Sequence, residues 1–385
     1  MNQQLYRSLL TAASLCALCA CSSDTDPRTY EREQAFLANL VQESILPLYD
    51  AAYLRASELK INVDELCESP SSDGVALARA SWRALQDAWK HTEVYSFGPV
   101  KEYPLRLGPK IDLWPARAET VERAIRDGAW KEVGDLSVVS GWSKGLPAVE
   151  YVLFRDPDAS VVSDELTAEV DRCTYLGLLA EDARINFELL VNAWKPDDGN
   201  FAAELTFDQA DVEATFFGTV AMAFDEVMNR TGFLIELMRQ TKVAKPAGIA
   251  TGTIDLGLAE SRFCDCSLED LQANLAGLRE VYVGAAERAS SSEPAEGEVG
   301  EVVYNSIRSL LPQDAQSIDV DILASFDELE LHISGFETTL TGAIDTNPSR
   351  VEELYQKLTR LQVLFQVDLF QALGVTLTFN DNDGD

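Results

Sequence analysis

Ser140 to Phe154 reads Ser-Gly-Trp-Ser-Lys-Gly-Leu-Pro-Ala-Val-Glu-Tyr-Val-Leu-Phe, and the chain is organised around this stretch. A glycine-bearing loop leads into Pro147, which is tolerated in a first helical turn because its missing N–H has no partner there. The apolar residues that follow predict a buried helix with Glu150 inside it. Such a carboxylate needs a partner, a proton or a metal ion, because an unpaired buried charge is very costly.

Helical periodicity continues on both sides of this stretch. Thr206 to Gln209 and Ser267 to Asp270 are capping-box sequences that predict the starts of further helices. No strand-like pattern exceeds a few residues, and a polar, turn-rich segment divides the chain. We therefore predict an all-α protein with no significant sheet, built as two helical-bundle domains at residues 30–196 and 206–385.

Composition and charge limit the partners of this protein. The chain has 385 residues, 46% of them hydrophobic, which is enough to bury a core. Its formal net charge of −33 argues against nucleic acid and anionic lipid headgroups as ligands. The same charge favours cations.

Residues 1–20 have the pattern of a bacterial lipoprotein signal peptide, with an apolar stretch too short to span a bilayer. Leu18-Cys19-Ala20-Cys21 resembles a lipobox, which implies that Cys21 is acylated and that residues 21–29 are a tether. Ser22 after the cysteine implies an outer-membrane destination in a Gram-negative cell. An ordinary cleaved secretory signal is the alternative, and either signal predicts an extracytoplasmic protein.

Four cysteines remain beyond this segment, and an oxidising compartment permits disulfides among them. They are Cys67, Cys173, Cys264 and Cys266. The last two are separated by one residue, which is too tight for an easy internal bridge. We expect a long-range disulfide from this pair to Cys67 or Cys173.

Five segments, taken in order, resemble the imelysin family of bacterial envelope proteins. They are Phe97 to Pro99, Ile111 to Pro115, Gly145 to Phe154, Ser261 to Phe263 and Gly374 to Asp385. The resemblance implies an all-helical protein of two bundle-like domains. The family is named for a proposed metallopeptidase activity, and many members are associated with iron uptake.

The family motif Gly-x-His-x-x-Glu is incomplete in this chain. Gly145 and Glu150 match it, but Pro147 stands at the histidine position and has no ligand atom. A catalytic zinc ion usually needs three protein ligands and an open position, so the loss of one argues against peptidase activity. Whether the protein is an enzyme stays open at this point.

Oxygen ligands are the remaining candidates for a metal site. Glu93, Asp112 and Glu150 form a candidate set for a divalent cation or iron, by comparison with the family positions. The structural alternative is that Asp112 caps a turn, Glu150 interacts with a helix dipole and Glu93 is solvated. His91 and His332 are the only histidines, and lone helical histidines are seldom ligands.

The candidate ligand-binding residues are Gly145, Glu150, Trp114 and Arg262. Arg262 is also a candidate bidentate partner for a carboxylate across the interface between the domains, which would explain a buried glutamate without a metal ion.

The resemblance implies a cell-envelope lipoprotein that binds a cation or small ligand in connection with iron uptake. We expect the ligand in a cleft between the Phe97 to Pro115 loop and the Gly145 to Glu150 turn. The expected partners are the outer membrane, through the lipid anchor, and components of iron uptake. A metallopeptidase with an unusual ligand set is one alternative, and a structural or partner-binding envelope protein with an inactive site is another.

Overall fold

The computed structural model describes residues 30–128, 130–207, 216–285 and 304–378. The predicted signal peptide, the tether and Cys21 lie outside these ranges. Within them every regular element is helical and no strand occurs, which confirms the all-α prediction. No helix in the same ranges is both long enough and apolar enough to cross a membrane.

The first half of the structure, residues 30–207, is built on long helices joined by short turns. Its α-helices are α1 (Glu31–Leu40), α2 (Leu46–Glu68), α3 (Ser72–Thr92), α4 (Gly108–Ile111), α5 (Ala118–Asp127), α6 (Leu146–Phe154), α7 (Ala159–Ala168), α8 (Val170–Trp194) and α9 (Phe201–Thr206). A π-helical segment at Val41–Ile45 joins α1 to α2 without a break, and short 3-10 turns lie at Glu93–Tyr95, Gly98–Val100, Val133–Val138 and Gly141–Ser143.

The second half, residues 216–285 and 304–378, is also built from helices joined by turns. Its α-helices are α10 (Val220–Glu236), α11 (Lys245–Ala247), α12 (Ser267–Val283), α13 (Gln316–Ser334), α14 (Leu340–Thr346), α15 (Pro348–Val363) and α16 (Phe370–Leu373). π-Helical segments at Leu237–Ala244 and Leu364–Leu369 extend α10 and α15, and 3-10 turns lie at Leu256–Leu258, Arg308–Leu310 and Gln313–Ala315.

Helix α3 is the central element of the first half. Ser71 caps it, because the serine side chain accepts a hydrogen bond from the backbone N–H of Gly74. Helix α3 packs against α2. Trp82, Leu85 and Trp89 are buried, and Trp82 contacts Phe154 of α6 while Trp89 contacts Phe187 of α8. Full burial of each such side chain stabilises the fold by about 1.5–3 kcal/mol.

The two halves are in direct contact through α3 and α12. Gly277 of α12 makes this close approach possible, since a Cβ atom there would lie 2.1 Å from the carbonyl oxygen of His91. The contact places the C-terminal end of α3, which carries Lys90 and Glu93, against the second half. The division into two domains stays a prediction.

The cysteine pairing differs from our expectation. Cys67 of α2 is bonded to Cys173 of α8, and Cys264 is bonded to Cys266. The expected long-range bond from the second pair is therefore wrong. Asp265, between the two cysteines, has a left-handed backbone (φ 55°), and the turn brings their Cα atoms to 5.3 Å.

The disulfide between α2 and α8 should contribute much of the stability of the first half. Because its cysteines are 106 residues apart, replacing both with serine should lower the free energy of unfolding by roughly 2–5 kcal/mol. Guanidinium denaturation without reductant measures this loss. The Cys264→Ser/Cys266→Ser double variant is the control, since its bridge closes a minimal loop. An equal loss in the control would contradict the explanation from loop length.

Candidate functional site: a buried charge cluster below a cleft

Lys90 lies at the centre of a group of buried carboxyl groups. Its side chain is fully buried, and its Nζ atom lies 3.0 Å from Glu93 Oε1 and 2.6 Å from Glu260 Oε1. It also contacts Asp112 Oδ2. Burial opposes the charge on Lys90, but the three neighbouring carboxyl groups outweigh burial and raise its pKa well above the ordinary value. The ammonium is therefore charged.

A second buried lysine completes the arrangement from the opposite half. Lys242 Nζ lies 2.7 Å from Glu93 Oε2, 2.8 Å from Glu260 Oε2 and 2.7 Å from Asn274 Oδ1. Asn274 Nδ2 in turn donates to Glu93 Oε2 and to the backbone carbonyl of Lys90. Burial raises the pKa of Glu93, but the two lysines more than reverse this effect and lower it to about 2. Glu93 is therefore ionised.

We call Lys90, Glu93, Asp112, Lys242 and Glu260 the charge cluster. Lys90 comes from α3 and Glu93 from the turn that follows it, whereas Asp112 follows α4. Lys242 lies in the π-helical extension of α10, and Glu260 precedes α12. The charge cluster thus ties both halves together at one point.

The charge cluster contains the carboxyl oxygens that a metal ion would use. One oxygen each from Glu93, Asp112 and Glu260 lies within 4.8 Å of the other two. The ammonium of Lys90 contacts the same three side chains, so the cation among them is already supplied by the protein. A resident metal ion does not fit this arrangement, because it would have to displace Lys90.

Glu150 lies apart from this set of three carboxyl groups. It is 3% exposed, and its Oε1 atom accepts hydrogen bonds from the backbone N–H groups of Phe263 (2.7 Å) and Cys264 (3.1 Å). Burial raises its pKa to about 8 in spite of these two amides, and the charge of Asp112 acts in the same direction. Glu150 is therefore mainly protonated at neutral pH.

Gly145 and Pro147 position the helix that carries Glu150. Pro147 lies in the first turn of α6, as predicted. Gly145, directly before the helix, has φ 73°, and a Cβ atom there would lie 2.5 Å from the carbonyl oxygen of Ile111. Only glycine allows this approach, which fixes α6 against the segment that leads to Asp112.

Arg262 does not form the ion pair that we considered for it. Its Nη2 atom donates to the carbonyl oxygen of Ala116 (3.0 Å), and its guanidinium lies over the ring of Phe263. Glu150 instead accepts hydrogen bonds from two backbone N–H groups of the same loop. Ser261 adopts a left-handed conformation (φ 46°), and the resulting turn directs these N–H groups towards α6. Arg262 therefore bridges the two halves through a carbonyl group.

A cleft of about 420 Å³ opens above the charge cluster. Glu93, Asp112 and Trp114 are among the residues that line it. The opposite wall is α10, through Arg230, Phe233 and Leu234. The expected wall was the Gly145 to Glu150 turn, but that turn is packed against Ile111 and is absent from the lining, as is Arg262.

Asp112 lines the cleft and has one carboxyl oxygen without a hydrogen-bond partner among the described residues. Its side chain is 3% exposed, and its Oδ2 atom contacts Lys90 and accepts from Trp89 Nε1 at 3.0 Å. Its Oδ1 atom is buried and has no hydrogen-bond partner among the residues that the structure describes. Leaving such an acceptor unsatisfied costs about 1–3 kcal/mol, so a ligand donor that reaches it through a small shift of the Asp112 side chain gains a favourable hydrogen bond.

The two histidines take part in other contacts. His91 Nε2 lies 2.8 Å from Glu280 Oε2 on α12, and His332 Nε2 lies 3.0 Å from the carbonyl oxygen of Arg350. Neither contact involves the charge cluster.

Sequence reasoning identified Glu93 and Asp112 but missed Lys90, Lys242 and Glu260. One usable signal was present on α3. Gln86, Lys90 and Glu93 are spaced by four and three residues, so they lie on one side of α3 and the turn after it. This side is close to the large apolar residues Trp82, Leu85 and Trp89. No comparable local pattern marks Lys242 or Glu260.

Removal of the central ammonium should be costly. Lys90→Met would remove the lysine partner of Asp112 and leave Glu93 and Glu260 with Lys242 alone, and we expect a loss of roughly 3–5 kcal/mol in the free energy of unfolding. Manganese(II) should restore part of the melting temperature of this variant and leave the wild type unchanged. Differential scanning fluorimetry with a manganese titration measures both effects.

Lys357→Met is the matched control, because Lys357 forms a largely exposed ion pair with Glu328. Its loss should be below about 1 kcal/mol and insensitive to manganese. Stabilisation of the wild type by micromolar manganese would show that a metal ion can share the cluster with Lys90.

Glu150 should make stability fall as pH rises. Between about pH 4.5 and 8 the unfolded chain loses a proton that folded Glu150 retains, so its contribution decreases across this window and levels off above it. Glu150→Gln mimics the protonated form. It should gain stability relative to wild type across the same window, on the order of 3–5 kcal/mol at pH 8. Urea denaturation at a series of pH values measures the difference.

Glu122 supplies a control of opposite sign. Hydrogen bonds from Arg172 lower its pKa, so Glu122→Gln should destabilise the protein at neutral pH and have less effect in acid. A Glu150→Gln difference that does not vary with pH would show that Glu150 is ionised in the folded protein.

A family model described as imelysin, designated peptidase M75, matches residues 45–365. The sequence is 22% identical over 256 residues to Iron-regulated protein A of Synechococcus elongatus, a match that covers 65% of this chain and 66% of that protein, just under two thirds. The fold is similar to that of an imelysin-like protein from Psychrobacter arcticus, with a TM-score of 0.68, 17% identity, and coverage of 91% of this chain and 98% of that one.

Proposed function

Because this chain belongs to the imelysin family, we propose that it is a cell-envelope lipoprotein that binds a small organic ligand in the cleft above the charge cluster, in connection with iron supply. The lipid anchor at Cys21 and an outer-membrane location are part of the proposal. They rest on the lipobox resemblance of the N-terminal sequence.

The observation that carries the proposal is the combination of Asp112 with the cleft. The cleft has room for a small molecule, and Asp112 offers a buried acceptor without a partner in the described part of the chain. Concave sites with apolar walls and a few well-placed polar groups are typical of ligand pockets. Trp89, Trp114 and Phe233 supply such walls here.

An organic ligand fits this site better than an inorganic cation. The carboxyl groups that would bind a cation contact Lys90, and Glu93 also contacts Lys242. The peptidase alternative has less support, because Pro147 lacks a ligand atom and Glu150 is held by two backbone amides away from the cleft. General-base catalysis also requires an accessible, ionised group, and burial keeps Glu150 protonated at neutral pH.

The link to iron rests on relatives. The Synechococcus protein is named for its regulation by iron, and this chain matches about two thirds of its length. The proposed role is therefore that of a binding protein whose ligand matters when iron is scarce.

Native mass spectrometry of the mature chain tests ligand binding directly. Protein purified from membranes of iron-limited cells should carry a small-molecule adduct, and Trp114→Ala should lose it because Trp114 forms part of the cleft wall. Trp142→Ala is the matched control, since Trp142 lies in a neighbouring loop outside the cleft lining. Wild-type protein without an adduct, from both iron-limited and iron-replete cells, would contradict the proposal.

A further inference from the structure

The mouth of the cleft differs in charge from the protein as a whole. The chain has a formal net charge of −33, yet Lys101 and Arg106 both lie at this mouth. Both are exposed, and neither forms an ion pair with any residue that the structure describes. Arg230 also lines the cleft, but it is paired with Glu226 at 2.7 Å. Two basic groups are therefore available to an incoming ligand, with Glu102 as the acidic group beside them.

Aromatic side chains form the walls between the mouth and the floor. Trp89, Trp114, Phe233 and Tyr103 all line the cleft. Tyr103 is 78% exposed, and the guanidinium of Arg106 lies 5.3 Å from its ring centre and donates to its hydroxyl at 2.9 Å. An exposed aromatic ring with a cationic neighbour is well suited to contact a second planar ring.

The floor of the cleft favours a different ligand group from the mouth, namely a hydrogen-bond donor. Asp112 presents a buried acceptor, so a ligand that reaches it must bring a hydrogen-bond donor. The charges of Glu93 and Asp112 are each compensated by lysine contacts behind them, so the floor does not strongly repel an anionic ligand. From floor to mouth, the cleft therefore offers an acceptor, then aromatic walls, then basic side chains.

We infer that the ligand is a hydroxylated aromatic acid, with its hydroxyl on Asp112, its ring between Trp114 and Phe233, and its carboxylate at Lys101 and Arg106. This inference rests on the proposed function and specifies its ligand class. The volume of about 420 Å³ has room for more than one ring, so single-ring acids serve as fragment probes of this ligand class.

Isothermal titration calorimetry with four probes tests the ligand class on the full mature chain. The probes are 4-hydroxybenzoate, benzoate, tyramine and citrate. We expect 4-hydroxybenzoate to bind about tenfold more tightly than benzoate, since benzoate lacks the donor, and about tenfold more tightly than tyramine, since tyramine carries the opposite charge. Citrate tests whether anionic charge alone is sufficient.

Two variants assign the contacts. Arg106→Gln should weaken 4-hydroxybenzoate and benzoate to the same degree, whereas Arg126→Gln, an exposed position outside the cleft lining, should leave both unchanged. Asp112→Asn should reduce the preference for 4-hydroxybenzoate over benzoate. Arg106 lies outside the charge cluster, so its variant remains informative if Asp112→Asn does not fold.

The outcomes separate this inference from the proposed function. Equal or tighter binding of tyramine or citrate would show that the ligand class is wrong while the cleft still binds small molecules. No binding by any probe at millimolar concentration would also overturn the ligand class. The native adduct on the wild-type chain is the independent test of whether the cleft binds a ligand at all.

Discussion

The contact between Lys90 and the carboxyl groups around it is the constraint on which the site depends. Burying a charged amine is costly, and removing any one partner would leave charge uncompensated in the protein interior. Lys90 of α3, Glu93 after it, Asp112 after α4 and Glu260 before α12 must therefore keep their relative positions. Gly277 allows α12 to approach α3 closely enough for this, so packing and electrostatics place the same restraint on the two halves.

The fold was largely readable from the sequence, because helical periodicity and capping residues are local signals. Pro147 was correctly placed in a first helical turn, and the all-α class is confirmed. Ser267 shows the limit of a local signal. The capping-box sequence correctly predicts that a helix begins at Ser267, but Cys266 is the N-cap residue and the Ser267 hydroxyl donates to the carbonyl oxygen of Glu260. The disulfide pairing could not be predicted from local sequence patterns. The Cys67–Cys173 bond depends on where α2 and α8 meet, and the Cys264–Cys266 bond depends on the left-handed backbone of Asp265.

The site was only partly predictable for the same reason. Asp112 lies in a segment that resembles the family, and Glu93 matches an acidic position of the family shortly before another such segment. Both are therefore candidates, and the structure brings them together. Glu260 and Lys242 are more than 120 residues away along the sequence, and only the packing of α10 and α12 against α3 places them at the same point. Carboxyl groups alone suggest a cation site in a sequence. The structure shows that the cation between these carboxyl groups is the ammonium of Lys90.

Pro147, at the histidine position of the family motif, affects how the buried Glu150 is stabilised. Without an imidazole at position 147, Glu150 has no neighbouring side-chain ligand on its own helix, and the structure satisfies it with two backbone amides and a retained proton. That solution holds the 261–264 loop against α6, and the same loop begins beside Glu260 of the charge cluster. Glu150 therefore helps to fix the backbone on the side of the charge cluster that faces away from the cleft. The groups still able to meet a ligand lie on the other side of Asp112, where the cleft is open.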